Sequence, residues 1–231
     1  MGTSGYNYPE WRGSFYPEKL RAAAMLPFYA ERFSTVEINA TFYQMPTATT
    51  LAGWDRATPS SFVFTLKAPQ RITHMRRLHD VDELVRLFCD TARTLGPKLG
   101  PLLFQLPPNF ARDRDRLADL LVLIPPGLRC ALEFRHPSWF ADDVYELLRA
   151  RNAALCIADT EEGTTPDVTT ASWGYLRLRD AGYSDADLEA WARRATRAPW
   201  ADAYVYFKHE ETARGPALAD RFRVQLGAAG V

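Results

Sequence analysis

The stretch "ALEFRHPSWF", residues 131 to 140, begins as an apolar strand and ends in an acid, a base, an imidazole and an indole. Side chains alternate faces along a strand, so Glu133 and Arg135 share one face while Leu132 and Phe134 take the other. The same sorting recurs along the chain. Glu37 and Asn39 oppose Val36 and Ile38, Lys67 opposes Phe64 and Leu66, and Gln105 opposes Phe104 and Leu106. Arg177 and Arg179 oppose Leu176 and Leu178, Lys208 opposes Val205 and Phe207, and Asp159 closes a run in phase with Leu155 and Ile157. Lys67, Arg135, Arg177, Arg179 and Lys208 against Glu37, Glu133 and Asp159 leave a local excess of two positive charges. Such a set could grip an anion with the arginines and Lys208 while Glu37, Glu133 or Asp159 serves as general acid or base. Lys67 also admits a reading as a Schiff-base lysine, its pKa lowered by neighbouring cations, although a plain phosphate or carboxylate partner is the leading one. The bland alternative is that these charges pair with one another, Glu133 with Arg177 or Asp159 with Lys208. Desolvating ten polar residues together without a ligand would be costly, and that favours a binding site for the set as a whole.

Aromatic residues crowd the segments after these strands. Trp11, Tyr43 and Trp139 are candidates for a stacking wall, His136 stands beside the last of them, and Phe15, Phe42 and Phe140 read as loop core. Aromatic walls over a basic floor suit a sugar, a nucleobase or a nucleotide phosphate. The histidines, His74, His79, His136 and His209, include no pair at helical ligand spacing. A carboxylate set of Glu37, Glu133 and Asp159 would suit magnesium or manganese, but the leading expectation is no cofactor. Cys89, Cys130 and Cys156 are far apart and odd in number, which fits buried thiols in a reducing cytoplasm.

What must position these groups is a series of short strands alternating with helical segments. Strands are predicted at 2–4, 35–39, 62–67, 102–106, 130–135, 154–159, 174–179 and 204–208. Helices are predicted in "PEKLRAAAMLPFYAERF", opened by Pro17, in "DVDELVRLFCDTARTLG", stopped by Gly96, and in "DRDRLADLLVLI". Three more fall in "ADDVYELLRARN", in "SDADLEAWARRA" with a capping box from Ser184 to Asp187, and in "GPALADRFRVQL". The connection after strand two, "TATTLAGWDRAT", reads as a short helix at best, and "TEEGTTPDVTTA" after strand six as mostly loop. Eight βα units predict an α/β fold, a single TIM (β/α)8 barrel over residues 1–231, with its functional face at the C-terminal strand ends. An open doubly wound sheet is the runner-up, but "GTSG" is not the glycine fingerprint it wants.

With 28 basic and 28 acidic residues, the chain has no global field to hold a polyanion, so any anion site is local. No stretch reaches the roughly 18 apolar residues of a membrane span, and no leader or lipid-anchor pattern is present. A cytoplasmic location and no membrane partner are expected, and nothing in the chain encodes a recognisable oligomeric state.

The segments "GTSGYNYPEWRGSFYP", "FSTVEINATFYQMP", "FTLKAPQRITH", "LGPKLGPLLFQLPPNF", "EFRHPSWF" and "YLRLRD", in that order, resemble the domain of unknown function 72 family, also called YecE-like. The resemblance covers essentially the whole chain and implies a TIM barrel in a bacterial or archaeal cytoplasm. It implies no established activity; a nucleic-acid role is suggested by likeness to endonuclease IV type barrels. Many relatives carry histidine and glycine after the strand-seven arginine, where this chain has Arg179 and Asp180; where they carry paired asparagines after strand eight it has "YFKHE". The chain begins almost inside its first strand, so its true start is expected upstream. The leading expectation is an enzyme, a hydrolase, lyase or isomerase, acting on a small phosphorylated or otherwise anionic molecule. The alternatives are a nucleic-acid-binding or processing barrel and a non-catalytic ligand sensor.

Overall fold

The structure, a computed structural model, describes residues 1–161, 163–180, 182–209 and 213–228. Eight parallel strands alternate with helices in a nearly closed barrel: β1 (Gly2–Thr3), β2 (Thr35–Ile38), β3 (Val63–Lys67), β4 (Leu99–Gln105), β5 (Cys130–Glu133), β6 (Ala154–Thr160), β8 (Gly174–Leu178) and β9 (Ala203–Phe207). The intervening β7 (Gly163–Thr164) is a short antiparallel return against the end of β6. The spatial order β1-β9-β8-β6-β5-β4-β3-β2 follows the chain around the barrel, as expected when each helix crossover places a strand beside its predecessor.

The ring does not close by a regular ladder. Between β1 and β2 there is one isolated bridge, Ser4 to Glu37, next to a hydrogen bond from Gly5 N–H to the Glu37 carbonyl at 2.7 Å. Below it the Tyr29 hydroxyl stands in for a rung: it accepts from Thr3 N–H at 2.8 Å and donates to the Thr35 carbonyl at 3.0 Å. Gly2 is required at this line because a Cβ there would lie 2.0 Å from the Thr35 carbonyl oxygen.

Helices form where the apolar stripe recurs every three or four residues. In α4 (Asp82–Ala92) Val85, Phe88, Cys89 and Ala92 bury one face, and Asp82 and Glu83 complement the N-terminal dipole. In α5 (Arg114–Leu123) the Asp113 carboxylate caps the Arg116 N–H, and α6 (Asp142–Ala150) buries Val144, Tyr145 and Leu148. The capping box of Ser184 and Asp187 opens α7 (Asp185–Arg197), and α8 (Arg214–Ala228) packs its Phe222 on Phe207. No helix among the described residues is long and apolar enough to cross a membrane.

Three local expectations change. The segment opened by Pro17 forms only a 3-10 turn at Ala22–Ala24 and α1 (Met25–Ala30), because Trp11, Phe15 and Tyr16 pin the chain before it in an aromatic knot against Phe28 and Tyr29. The connection after β2 is more regular than its sequence suggests, with α2 (Ala40–Tyr43) and α3 (Ala48–Arg56), the latter capped by Thr47. The helix stopped by Gly96 ends earlier, at Ala92, and continues as a 3-10 turn in which Gly96 takes φ 55°. The loop expected after strand six includes Glu162, and the "YFKHE" departure includes Glu210; both lie outside the described residues.

Inside the barrel the layers differ in chemistry. The middle is tight and mostly apolar, with Leu103, Ala131, Cys156 and Tyr175, and the Tyr206 hydroxyl reaches Thr35 and Thr65 at 2.8 Å each. The layer above, where branched aliphatic residues would be usual, holds Glu37, Glu133 and Arg177.

Candidate functional site

The alternation along each strand carries these groups inward at the C-terminal ends. Arg177 follows Tyr175 on the inner face of β8, Glu37 follows Thr35 on β2, and Glu133 follows Ala131 on β5. Arg177, 1% exposed, stands between the two carboxylates. Its Nε and Nη2 donate to Glu37 Oε1 at 3.2 and 2.8 Å, its Nη1 donates to Glu133 Oε2, and Nη2 also reaches Ser4 Oγ at 3.2 Å. Glu37 further accepts from Ser4 Oγ and from the Tyr175 hydroxyl, and Asn39 Nδ2 donates to Ser4 Oγ at 2.9 Å. The second oxygen of Glu133 pairs with Arg135 Nη2.

Burial alone would raise both acids. The Arg177 guanidinium outweighs it, with Ser4 and Tyr175 helping at Glu37, and holds that carboxyl below the usual range. At Glu133 burial is likewise overcome by Arg177, Arg135, Lys67 and Arg179, which bring it down to about 2. Both are therefore carboxylates at neutral pH. Burial would weaken the Arg177 cation, but Glu133 and Glu37 reverse that and hold it firmly protonated.

The other cations of the mouth are placed differently. Lys67, at the end of β3 and 8% exposed, makes no side-chain hydrogen bond or ion pair among the described residues; its Nζ lies 4.0 Å above the Phe42 ring. Burial, then the nearby Arg177 charge, lowers its pKa to about 8. Arg179 has no carboxylate within ion-pair distance among the described residues, and burial together with Arg135 and Arg177 lowers its pKa. Lys208 belongs to the same mouth, where its charge adds to the depression at Lys67. Arg135 is 20% exposed, its Nε has no acceptor, and it lines a cleft of about 200 Å³ with Phe134, Phe140, Ala158, Thr160 and Thr164, under the β6–β7 turn. Asn39 Oδ1 is a second buried atom without a partner.

Matching the whole chain, residues 1–231, is the sequence model described as "Protein of unknown function DUF72". The chain belongs to the DUF72 family. UPF0759 protein YunF of Bacillus subtilis is 33% identical over 174 residues, 69% of this chain and 62% of that protein. UPF0759 protein YecE of Escherichia coli is 33% identical over 135 residues, 58% of this chain and 48% of that protein. The matched part thus spans less than two thirds of either curated relative. Among solved structures, a DUF72 family protein from Thermotoga maritima superposes with a TM-score of 0.83 at 27% identity and covers 98% of both chains. One from Enterococcus faecalis gives 0.73 at 18% identity over 90% of this chain and 93% of that one, a likeness of fold.

Within this DUF72 barrel, Glu37, Asn39, Lys67, Gln105, Glu133, Arg135, Arg177, Arg179 and Lys208 all reach the mouth; Gln105 sits in register with Glu133. Arg177 is sealed and each of its guanidinium nitrogens is already engaged, so an anion would meet the other cations instead. Asp159 stands apart: its carboxylate takes Thr164 Oγ1 and, at 2.6 Å, the Tyr183 hydroxyl. Its phase with Leu155 and Ile157 points it away from the axis. The three carboxylates proposed for magnesium or manganese therefore do not converge, two of them being turned onto Arg177. Trp11 and Trp139 offer no ligand wall. Both are fully buried, Trp11 beside Tyr8 and Tyr16, Trp139 stacked on Phe134 at 4.9 Å with its indole N–H on the Phe110 carbonyl at 2.7 Å. Tyr43 is 74% exposed on α2, outside the charged cluster. His136 uses Nδ1 to hold Ser138, accepting from its N–H at 3.2 Å, and so shapes the turn after β5.

Sequence reasoning gave no site role to Ser4, Tyr175 or Phe42. Tyr175 was accessible by parity, two residues before Arg177 on one face. His74 lies in the π-helical turn Arg71–Met75 after β3, its ring edge-on to Phe42 at 4.9 Å and its Nδ1 2.8 Å from Thr73 Oγ1. Burial, then the Lys67 charge, lowers its pKa, so its ring is neutral at pH 7.

Proposed function

We propose that the barrel mouth binds a small phosphorylated or otherwise anionic molecule and that the chain acts on it as an enzyme. One observation carries the reading: Glu37 and Glu133 are paired with Arg177 and Arg135, while Lys67 and Arg179 have no carboxylate within ion-pair distance among the described residues. Two cations held by burial and by other cations below their usual pKa carry repulsion that an entering anion relieves. Lys67 and Arg179 are the gripping groups, with Arg135 at the rim beside the cleft and Lys208 alongside. Glu133, at about 2, holds its proton too weakly for general acid work near neutrality, so its part is to fix the arginines. Proton transfer falls to Lys67 and His74.

Calorimetry and thermal denaturation with inorganic phosphate test the reading. Wild type is expected to bind and be stabilised, and Lys67→Met and Arg179→Ala to lose the effect. Duplex and single-stranded oligonucleotides are expected to bind more weakly than roughly micromolar at physiological salt. Nanomolar, steeply salt-dependent binding lost in Arg179→Ala would move the site to a nucleic-acid role.

A further inference from the structure

We propose that Lys67 is a nucleophile that forms an imine with the carbonyl carbon of a small anionic oxo compound, one whose carbonyl lies next to a carboxylate or phosphate; this rests on the anion reading above. Lys67 ends β3 on the inner face, two residues beyond the buried Thr65. The two carboxylates that could have fixed it as a permanent ammonium raise its pKa from nearby but form no ion pair with it. Glu37 is spent on Arg177, Ser4 and Tyr175, and Glu133 on Arg177 and Arg135. What touches the Nζ is the Phe42 ring, at 4.0 Å. The side chain is nearly buried, yet its Nζ is not among the sealed polar atoms and keeps some contact with solvent. A lysine placed only to attract an anion has no need of such shielding, whereas a nucleophilic one gains a neutral fraction from it. With a pKa of about 8, roughly a tenth of Lys67 is uncharged at pH 7. Arg179 and Arg135 supply the charges for the anionic group of the same compound.

In the step itself the neutral amine of Lys67 donates its lone pair to the carbonyl carbon. The C–N bond forms as the C=O π pair moves to oxygen, and that oxygen takes one of the nitrogen's two protons. Departure of the hydroxyl with the second proton, as water, leaves C=N. Both protons lost by nitrogen leave in the water, and no oxidant or reductant takes part. His74, on the same Phe42 ring and with Nδ1 engaged by Thr73, can carry these protons through Nε2.

The chain has four lysines, Lys19, Lys67, Lys98 and Lys208, so the nucleophile can be located directly. The full chain is incubated with glyoxylate, and separately with glyceraldehyde 3-phosphate, and the adduct is fixed with sodium cyanoborohydride and mapped by peptide mass spectrometry. The expected adduct has the mass of the aldehyde less one oxygen, forms at Lys67 at least tenfold faster than at any other lysine, and is suppressed by inorganic phosphate. The faster of the two aldehydes tells whether carboxylate or phosphate is preferred. Lys67→Arg is expected to lose the adduct. Labelling of Lys67 no faster than that of exposed Lys19, with phosphate still stabilising the wild type, overturns the imine and leaves the anion site standing. Failure of phosphate to stabilise the wild type or to protect Lys67 overturns the anion reading itself.

Discussion

Arg177 on β8 and Lys67 at the end of β3 both face the barrel interior, both buried, both cationic, and their surroundings differ in one respect. Arg177 is paired with two carboxylates and hydrogen-bonded to a serine, whereas Lys67 lies over an aromatic face and makes no ion pair, feeling the carboxylates and the other cations only at longer range. The first arrangement cancels the cost of desolvation within the protein and leaves little for a ligand to gain. The second leaves the cost standing, and that uncompensated cost is what a ligand can relieve. Burial and like charge therefore do not imply equal roles: the pairing of a charge decides whether it supports the barrel or serves its mouth.

The comparison breaks most visibly at Arg177. Replacing it with alanine strands Glu37 and Glu133 in the interior and is expected to cost about 3–5 kcal/mol by chemical denaturation. A loss under 1 kcal/mol would mean that the carboxylates are satisfied without it. Acid tests the same half of the layer. The unfolded chain protonates Glu133 near its ordinary value of 4.5 and the folded chain only near 2, so stability present above that range is lost as pH falls from 4.5 to 2. A Glu133→Gln variant should show a shallower acid limb. The Lys67 half moves in the same sense in a higher window, but as a cost relieved and not a gain restored: between pH 8 and 10.5 the unfolded chain binds the extra proton, so the penalty at Lys67 fades as pH rises across that window. Lys67→Met should remove that pH dependence, be no less stable than wild type at pH 7, and bind phosphate at least tenfold more weakly, about 1.4 kcal/mol. The smallest effect is expected at Tyr43, where alanine should change stability by less than about 0.5 kcal/mol and leave phosphate binding intact. A clear loss of binding there would extend the site outward over α2.

The barrel and the convergence of charges were legible because strand parity is a local property: Glu133 and Arg135 share a face wherever β5 lies. The pairing of Glu133 with Arg177 was foreseen as the bland alternative, and the structure contains it. Depth was not legible. Arg177 and Arg179 look equivalent in sequence, yet two residues along β8 separate a sealed position from a half-open one, and only the barrel radius sets that boundary. Trp11 and Trp139 follow strand ends as a ligand wall would, but a loop's sequence does not say which side of a ring packs inward. Asp159 was misplaced for a simpler reason, its own phase with Leu155 and Ile157 having already turned it outward.

The line between β1 and β2 has a dynamic consequence. Every other neighbouring pair of barrel strands is stitched by a ladder, while this one is fastened by the Tyr29 hydroxyl and the Ser4–Glu37 rung. Local opening will start there, as staves part where a cask has its weakest hoop, and amide protons of β1 and β2 will exchange sooner than those of β5 or β6. The upper fastening belongs to Glu37, which Arg177 also holds. Loosening the charged layer would also free the Glu37 side chain from Ser4, so faster exchange of the β1 and β2 amides in Arg177→Ala is the expected sign that the mouth and this line of the wall are linked.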